Sequence, residues 1–171
     1  MRAEQEREYS AYVEAQTVRL RRIAYHLCGG WHAAEDLVQD TLAKVYPRWG
    51  RVAEMESRDG YVRRVLYRTY LEQHRRSWFR RVFLTSEPPD RPATEAGDPA
   101  SRVDLMAALA QLPAGQRAVV VLRYLELLDV NETARVLGRS PGTVKSQTSD
   151  ALANLRTLLP GYLDQPLPAK G

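Results

Sequence analysis

Residues 85–101 read TSEPPDRPATEAGDPAS, with prolines at 88, 89, 92 and 99, acids at 87, 90, 95 and 98, and alanine as the only apolar side chain. A stretch like this cannot bury enough apolar surface to offset the entropy of ordering it, and each proline lacks the backbone N–H that a helix needs. It reads as an extended, flexible acidic linker. The chain on either side is apolar at helical spacing, so the linker divides it into two small all-helical units.

The second unit holds the most informative stretch. Residues 129–159 read DVNETARVLGRSPGTVKSQTSDALANLRTLL. Asp129 and Glu132 have the spacing of a capping box. Val130, Ala134 and Leu137 then recur along one helical face. Gly138 stands where a helix must end in a left-handed backbone. Ser140 can cap a following helix, with Pro141 in its first position. Val144, Leu152, Leu155 and Leu159 predict the buried stripe of that helix. Thr143, Lys145, Ser146, Gln147 and Ser149 are expected on its exposed side, where Ser140 also belongs. An ordinary helical hairpin would satisfy the spacing. The turn chemistry and the short polar face favour a DNA-binding helix-turn-helix. Upstream, VDLMAALAQL predicts a helix interrupted by Pro113, and GQRAVVVLRYLELL an apolar helix in which Leu122, Leu125 and Leu128 continue the period.

In the first unit, Tyr9, Tyr12, Val13, Leu20, Ile23, Ala24 and Leu27 predict a helix from residue 8, stopped by Gly29-Gly30. HAAEDLVQDTLAKVY predicts a second, burying Leu37, Val38, Leu42 and Val45. Its outer face carries Glu35, Asp36, Gln39, Asp40 and Lys44, which suits either a plain solvated surface or an acidic docking face. Pro47 must end or kink this helix, and Trp49 is expected to return to the core. Residues 50–60 read as a polar loop. A third helix follows, with Tyr61, Val62, Val65, Leu66, Thr69 and Tyr70 as its seam.

Charge is unevenly spread. The whole chain of 171 residues carries a formal +4, yet residues 58–83 hold eight arginines against only Asp59 and Glu72. Concentrated positive charge attracts a polyanion. The run HRRSWFRR sets Trp78 and Phe79 among cations, the mixture that a single-stranded nucleic acid groove needs for phosphates and unstacked bases. A solvated basic helix end is the plainer alternative. No apolar run reaches the length of a bilayer span and MRAEQEREYSAY lacks a signal-peptide core, so no membrane insertion and cytoplasmic residence are expected. Cys28 is the only cysteine. It lies near His26 and His32, but no second ligand pair at zinc-like spacing exists elsewhere, and neither a metal nor a cofactor is implied.

Taken together, the motifs resemble those of one family. AEDLVQDTLAKVY, DGYVRRVLYRTYL and LPAGQRAVVVLRYLE…ETARVLG…GTVKS, in that order, resemble bacterial extracytoplasmic-function (group IV) RNA polymerase sigma factors. The TVKSQ sequence is similar to that of the actinobacterial SigE-like subgroup. The resemblance implies a non-enzymatic, all-α, two-domain promoter-recognition subunit: an N-terminal helical bundle and a C-terminal four-helix domain containing the helix-turn-helix. Its divisions would be 1–84 (sigma region 2), 85–101 (linker), 102–163 (sigma region 4) and 164–171 (tail).

The resemblance also implies roles. Asp36, Gln39, Asp40 and Lys44 would meet the coiled coil of the polymerase's largest subunit. Arg58, Tyr61, Arg64, Arg68, Arg75, Arg76 and Trp78 would bind and melt the −10 element. Ser140, Thr143, Lys145, Ser146, Gln147 and Ser149 would read the −35 element while the same domain meets the polymerase flap. An anti-sigma protein is the candidate inhibitor. The sequence departs from the family at three positions: Arg68 stands where many members have asparagine, and Gln147 and Asp150 where many have arginine. The competing reading is a stand-alone helix-turn-helix regulator of duplex DNA. A recombinase would need a nucleophile with convergent basic partners, and the candidate serines fall only in linker and turn.

Overall fold

The computed structural model describes residues 2–84 and 100–160. They form eight α-helices: α1 (Arg2–Cys28), α2 (Trp31–Val45), α3 (Trp49–Val52), α4 (Arg58–Leu84), α5 (Ala100–Gln111), α6 (Ala114–Val120), α7 (Val130–Leu137) and α8 (Pro141–Leu158). A 3-10 turn (Tyr46–Arg48) joins α2 to α3, and a π turn (Val121–Leu125) continues α6. No strand occurs among the described residues, and the all-α expectation holds. The 85–99 part of the linker and the tail beyond residue 160 lie outside the described residues.

In the first half, α1, α2 and α4 pack around Leu20, Ile23, Leu27, Leu37, Val38, Val62, Leu66 and Tyr70, all buried. α1 begins six residues earlier than its apolar spacing suggested, because polar side chains with good helix propensity extend it into solvent. Gly29 turns the chain with φ +80°. Pro47 ends α2 as expected, in the first positions of the 3-10 turn. That turn returns Trp49 to the core, 5.2 Å from the ring of Tyr9 and 4.8 Å from that of Tyr12. Tyr9 in turn donates its hydroxyl proton to the Leu42 carbonyl at 2.8 Å. The expected 50–60 loop is shorter than its composition suggested, since Trp49–Val52 is helical and α4 starts at Arg58.

In the second half, Ala108, Leu109, Leu112, Val120, Ala151, Leu155 and Leu159 form a cluster between α5, α6 and α8. Val144, Leu155 and Leu159 are buried as expected on α8, while Ala151 rather than the half-buried Leu152 completes the stripe. The small alanine lets α6 approach closely. The helix-turn-helix has the local chemistry read from its sequence. The Glu132 N–H donates to Asp129 Oδ1 at 2.8 Å, and the Asp129 N–H donates to Glu132 Oε2 at 3.0 Å. Gly138 is left-handed at φ 64°, ψ 40°. The Thr143 N–H donates to Ser140 Oγ at 3.1 Å.

The apolar period before α7 does not run through. The Glu126 N–H donates to the Val121 carbonyl, five residues back, at 2.9 Å. This wider turn shifts the register, so that Leu122 is buried, Leu125 is 42% exposed and Leu128 packs from the edge.

The two helical halves expected on either side of the linker also pack against each other. Ala118, Val119, Val121, Leu122, Ala134, Val136, Leu137 and Val144 belong to the same continuous core as α1, α2 and α4. α6 therefore serves two cores, with Val120 directed to the second-half cluster. At the seam lies Arg117, only 6% exposed. Its Nη1 donates to the Leu27 carbonyl at 2.6 Å, and its Nη2 donates to the carbonyls of Ala110 and Leu112. Leu27 and Ala110 stand at the last turns of α1 and α5, where carbonyls have no partner within the helix and the helix dipole is negative. A single guanidinium thus closes one helix end from each half.

Replacing Asp129 by alanine removes one arm of the capping box and should cost about 1 kcal/mol. Thermal denaturation should then show a midpoint lowered by roughly 2–4 °C for a chain of this size, and an unchanged midpoint would mean the cap contributes nothing.

Candidate nucleic-acid interface

α4 is a single helix of 27 residues, about 40 Å long at 1.5 Å per residue. At 3.6 residues per turn, Tyr61, Arg64, Arg68 and Arg75 fall within roughly 60° of one another, opposite the buried Val62, Leu66 and Thr69. The sequence thus folds into a stripe whose inner side is core and whose outer side is cationic. Arg68 and Arg75 are exposed, while Tyr61 and Arg64 are half-buried. Arg64, Arg68 and Arg75 pair with no carboxylate among the described residues. Arg58 and Arg76 flank the stripe but are partly engaged: Arg58 lies 3.9 Å from Glu8 and over the Tyr12 ring, and Arg76 is 2.8 Å from Glu72. Trp78 is 55% exposed, edge-on to Phe79 at 5.2 Å. Exposure to this extent suits either a nucleic-acid groove or a plain solvated helix end.

The outer face of α2 is exposed at Asp36, Gln39, Asp40 and Lys44. Two of these side chains already have partners on α4. Asp40 accepts from Gln73 Nε2 at 2.7 Å, and Lys44 Nζ donates to Glu72 Oε2 at 3.1 Å and to Thr69 Oγ1 at 3.2 Å. The Lys44 hydrogen bond and charge, with the Arg76 charge beside them, hold the Glu72 carboxyl below its usual range. Asp36 faces His32 at 3.8 Å.

On α8, Lys145, Ser146 and Ser149 share one exposed face with Asp150. Ser140 and Thr143 are occupied at the start of the helix, their hydroxyls 2.9 Å apart. Gln147 is not exposed as its polarity suggested. It is half-buried with its carbonyl oxygen enclosed, and a Cβ on Gly115 of α6 would stand 3.1 Å from its Nε2. The helical period carried this signal, because Gln147 lies only about 60° from Val144 and Ala151 around the axis.

The structure also brings the two basic elements together. A Cβ on Gly138, in the helix-turn-helix turn, would lie 3.3 Å from Arg68 Nη2. Two contributors escaped the reading of the sequence. Tyr67, fully buried beneath the second half, lies just outside the apolar seam expected for α4. Arg117 stands among polar and apolar neighbours alike, with no pattern that marks a buried charge. Among the described residues no group of three or more His, Cys, Asp or Glu side chains is placed to hold a metal ion, and no helix is long and apolar enough to cross a membrane. The arrangement offers cations, an open ring and a polar helix face: the means to bind a nucleic acid.

Residues 13–80 match the family Sigma-70 region 2, and residues 102–155 match Sigma-70, region 4. The chain is 39% identical over 154 residues to the RNA polymerase sigma-E factor of Streptomyces coelicolor, covering 87% of this chain and 84% of that one. It is 35% identical over 148 residues to the ECF RNA polymerase sigma factor SigE of Mycolicibacterium smegmatis, covering 82% and 57% respectively. Its fold is similar to that of the sigma factor RpoE in complex with the anti-sigma factor NepR from Bartonella quintana. That match has a TM-score of 0.68 at 25% identity and covers 92% of this chain and 99% of that one.

Because the Glu72 carboxyl is held below its ordinary 4.5 in the folded chain, its stabilising link to Lys44 is present above that value and lost as pH falls through the folded value. A Glu72→Gln variant should therefore be less stable than the wild type at neutral pH and equal to it in strong acid. Urea unfolding across that range tests this, and a gap independent of pH would count against it.

Proposed function

The chain belongs to the extracytoplasmic-function RNA polymerase sigma factors, and from that premise we propose which of its surfaces perform promoter-directed initiation. The observation that carries the assignment is the combination, on one chain, of an unpaired arginine stripe along α4 with a helix-turn-helix at α7 and α8. One suits a melted strand and the other a duplex groove. α4 takes the −10 element, with Arg64, Arg68 and Arg75 on phosphates, Arg58 and Arg76 at its flanks, and Tyr61 and Trp78 against bases. Stacking worth about 1–3 kcal/mol per base offsets an unstacking cost of a few kcal/mol. Binding energy thus favours strand opening, and the chain itself performs no bond chemistry.

α8 enters the −35 major groove. Lys145 neutralises a phosphate, and Ser146 and Ser149 face the base edges. Ser140 and Thr143 fix the start of the helix, and Gln147 reaches DNA only by leaving its pocket against Gly115. The exposed face of α2, at Asp36, Gln39, Asp40 and Lys44, docks on the coiled coil of the polymerase's largest subunit, and the second half meets the flap. An anti-sigma protein is a fitting inhibitor, as with the sigma factor of the RpoE–NepR complex.

Purified chain added to core polymerase should give run-off transcripts from a randomised promoter library, and enrichment of one −35/−10 pair would define the site. Transcripts no more abundant than with core alone would refute the reading, and a specific shift of duplex DNA without polymerase would favour a stand-alone regulator. Replacing Arg68 by alanine should lower open-complex formation and reduce its salt slope by about 0.7, the loss of one single-strand phosphate contact. Replacing Lys145 by alanine should instead weaken binding evenly across sequences and reduce the salt slope by about 1.

A further inference from the structure

Gln147 stands on the edge of α8, with two places to put its side chain. Around the helix axis it lies within roughly 60° of the buried Val144 and Ala151 on one side and of the exposed Asp150 on the other. The side chain takes the inner place. Its Oε1 is enclosed with no hydrogen-bond partner among the described residues, and its Nε2 lies 3.1 Å from where a Cβ on Gly115 would stand. Gly115 is the second residue of α6. Beside it, Asn154 Nδ2 donates to Gln116 Oε1 at 2.8 Å and ties the start of α6 to α8. The wall of the recess is therefore backbone held in place, and the recess exists because residue 115 has no side chain.

The inner place has room for the amide but no donor for its oxygen. An enclosed carbonyl oxygen left unpaired opposes its own burial, because in water or on a base edge it regains its hydrogen bond. Turned outward, the amide joins Lys145, Ser146, Ser149 and Asp150 on the face assigned to the −35 groove. An amide offers an acceptor and a donor side by side, and the major-groove edge of adenine shows the complement: N6 donates and N7 accepts. Guanine shows two acceptors there, O6 and N7, which leaves the amide oxygen unpaired again. Asp150 sharpens the choice. Its carboxylate is exposed, belongs to no ion pair among the described residues, and is repelled by the acceptors of guanine.

We propose that Gln147 is a stowed base reader: it rests in the recess against Gly115 and swings out to hydrogen-bond an adenine at one position of the −35 element. The inference rests on the assignment of α8 to the −35 major groove, and deepens it by naming the discriminating residue and the base it selects. Leaving the recess gains a bidentate pair at adenine alone. At any other base the side chain stays inside, so a mismatch places no unpaired amide in the groove. The reader is consequently tolerant, and its preference for adenine is diluted by the fraction of chains in which it is withdrawn. Residue 115 sets that fraction. A side chain there closes the recess and holds the reader out.

The test uses the full chain with core polymerase on a promoter library randomised in the −35 element, comparing the wild type with G115A, Q147A and the double variant. Gly115 is helical without a positive φ, so alanine suits its backbone. The added Cβ displaces only the far end of a flexible side chain. The wild type should favour adenine at one position by about threefold, and G115A at the same position by about tenfold, within the range of one bidentate contact. Q147A should show no preference there, and the double variant should match Q147A. That equality separates displacement of Gln147 from a general gain in helix stability, which Q147A would not cancel. In the free chain, nuclear magnetic resonance should show the Gln147 side-chain amide moving to the position of an exposed glutamine in G115A. Equal preference in all four chains would overturn the inference. So would a gain in G115A that persists in the double variant, an amide resonance that does not move, or a preference for guanine that Q147A removes. If circular dichroism shows G115A unfolded, the wild type against Q147A decides alone. Transcripts no more abundant than with core alone would refute the functional assignment itself, and the inference would fall with it.

Discussion

A cation buried without a carboxylate is expensive unless its N–H groups find oxygens and the surrounding field is negative. Arg117 meets those terms at its two terminal nitrogens by sitting where two helices end, while its Nε is enclosed without a partner. The carbonyls of Leu27 and Ala110 lack partners within α1 and α5, and each helix end carries a partial negative charge. Once the guanidinium occupies that position, α6 is held between the halves. Its Ala118, Val119, Val121 and Leu122 complete the first-half core, while Val120 completes the second. The apolar face of α7, with Ala134, Val136 and Leu137 in the same core, adds to this seam beside α4.

The same economy appears on α2 and α4. Lys44 and Asp40 belong to the face assigned to polymerase, yet both are hydrogen-bonded to α4, through Glu72 and Thr69 and through Gln73. Glu72 in turn holds Arg76, a cation of the helix proposed to bind DNA. The face proposed for polymerase and the helix proposed for DNA are thus joined by one short run of side chains. These contacts are exposed and individually weak. They bias the rotamers of Arg76 and Lys44 rather than hold the fold, which depends on the apolar seam beneath.

Local chemistry was legible residue by residue. The capping box, the glycine turn, the serine cap with its following proline, and the proline that ends α2 each act within a few residues, so their geometry follows from composition and spacing. The arginine stripe was legible too, because helical periodicity alone places Tyr61, Arg64, Arg68 and Arg75 opposite the core. Longer-range choices were not. The π turn after α6 shifts the register of Leu125, and no single residue marks it. Gln147 looks like a reader of DNA by its type, but a glycine on another helix leaves room for it to fold inward.

What the sequence determined by itself is the set of helices, their caps and the charge each presents, because these depend on bonds and periods of four residues or fewer. The order of its motifs also identified the family. What only the tertiary structure decided is the relation between the halves. The proline-rich stretch marks a division into two helical halves, since nothing in it can pack, but carries no information on whether those halves touch. The apolar faces of α6 and α7 nevertheless find α1 and α4, and a buried arginine finds two helix ends 90 and 7 residues away in the chain. Contacts between residues so distant depend on which surfaces fit, and shape complementarity is not written in local pattern.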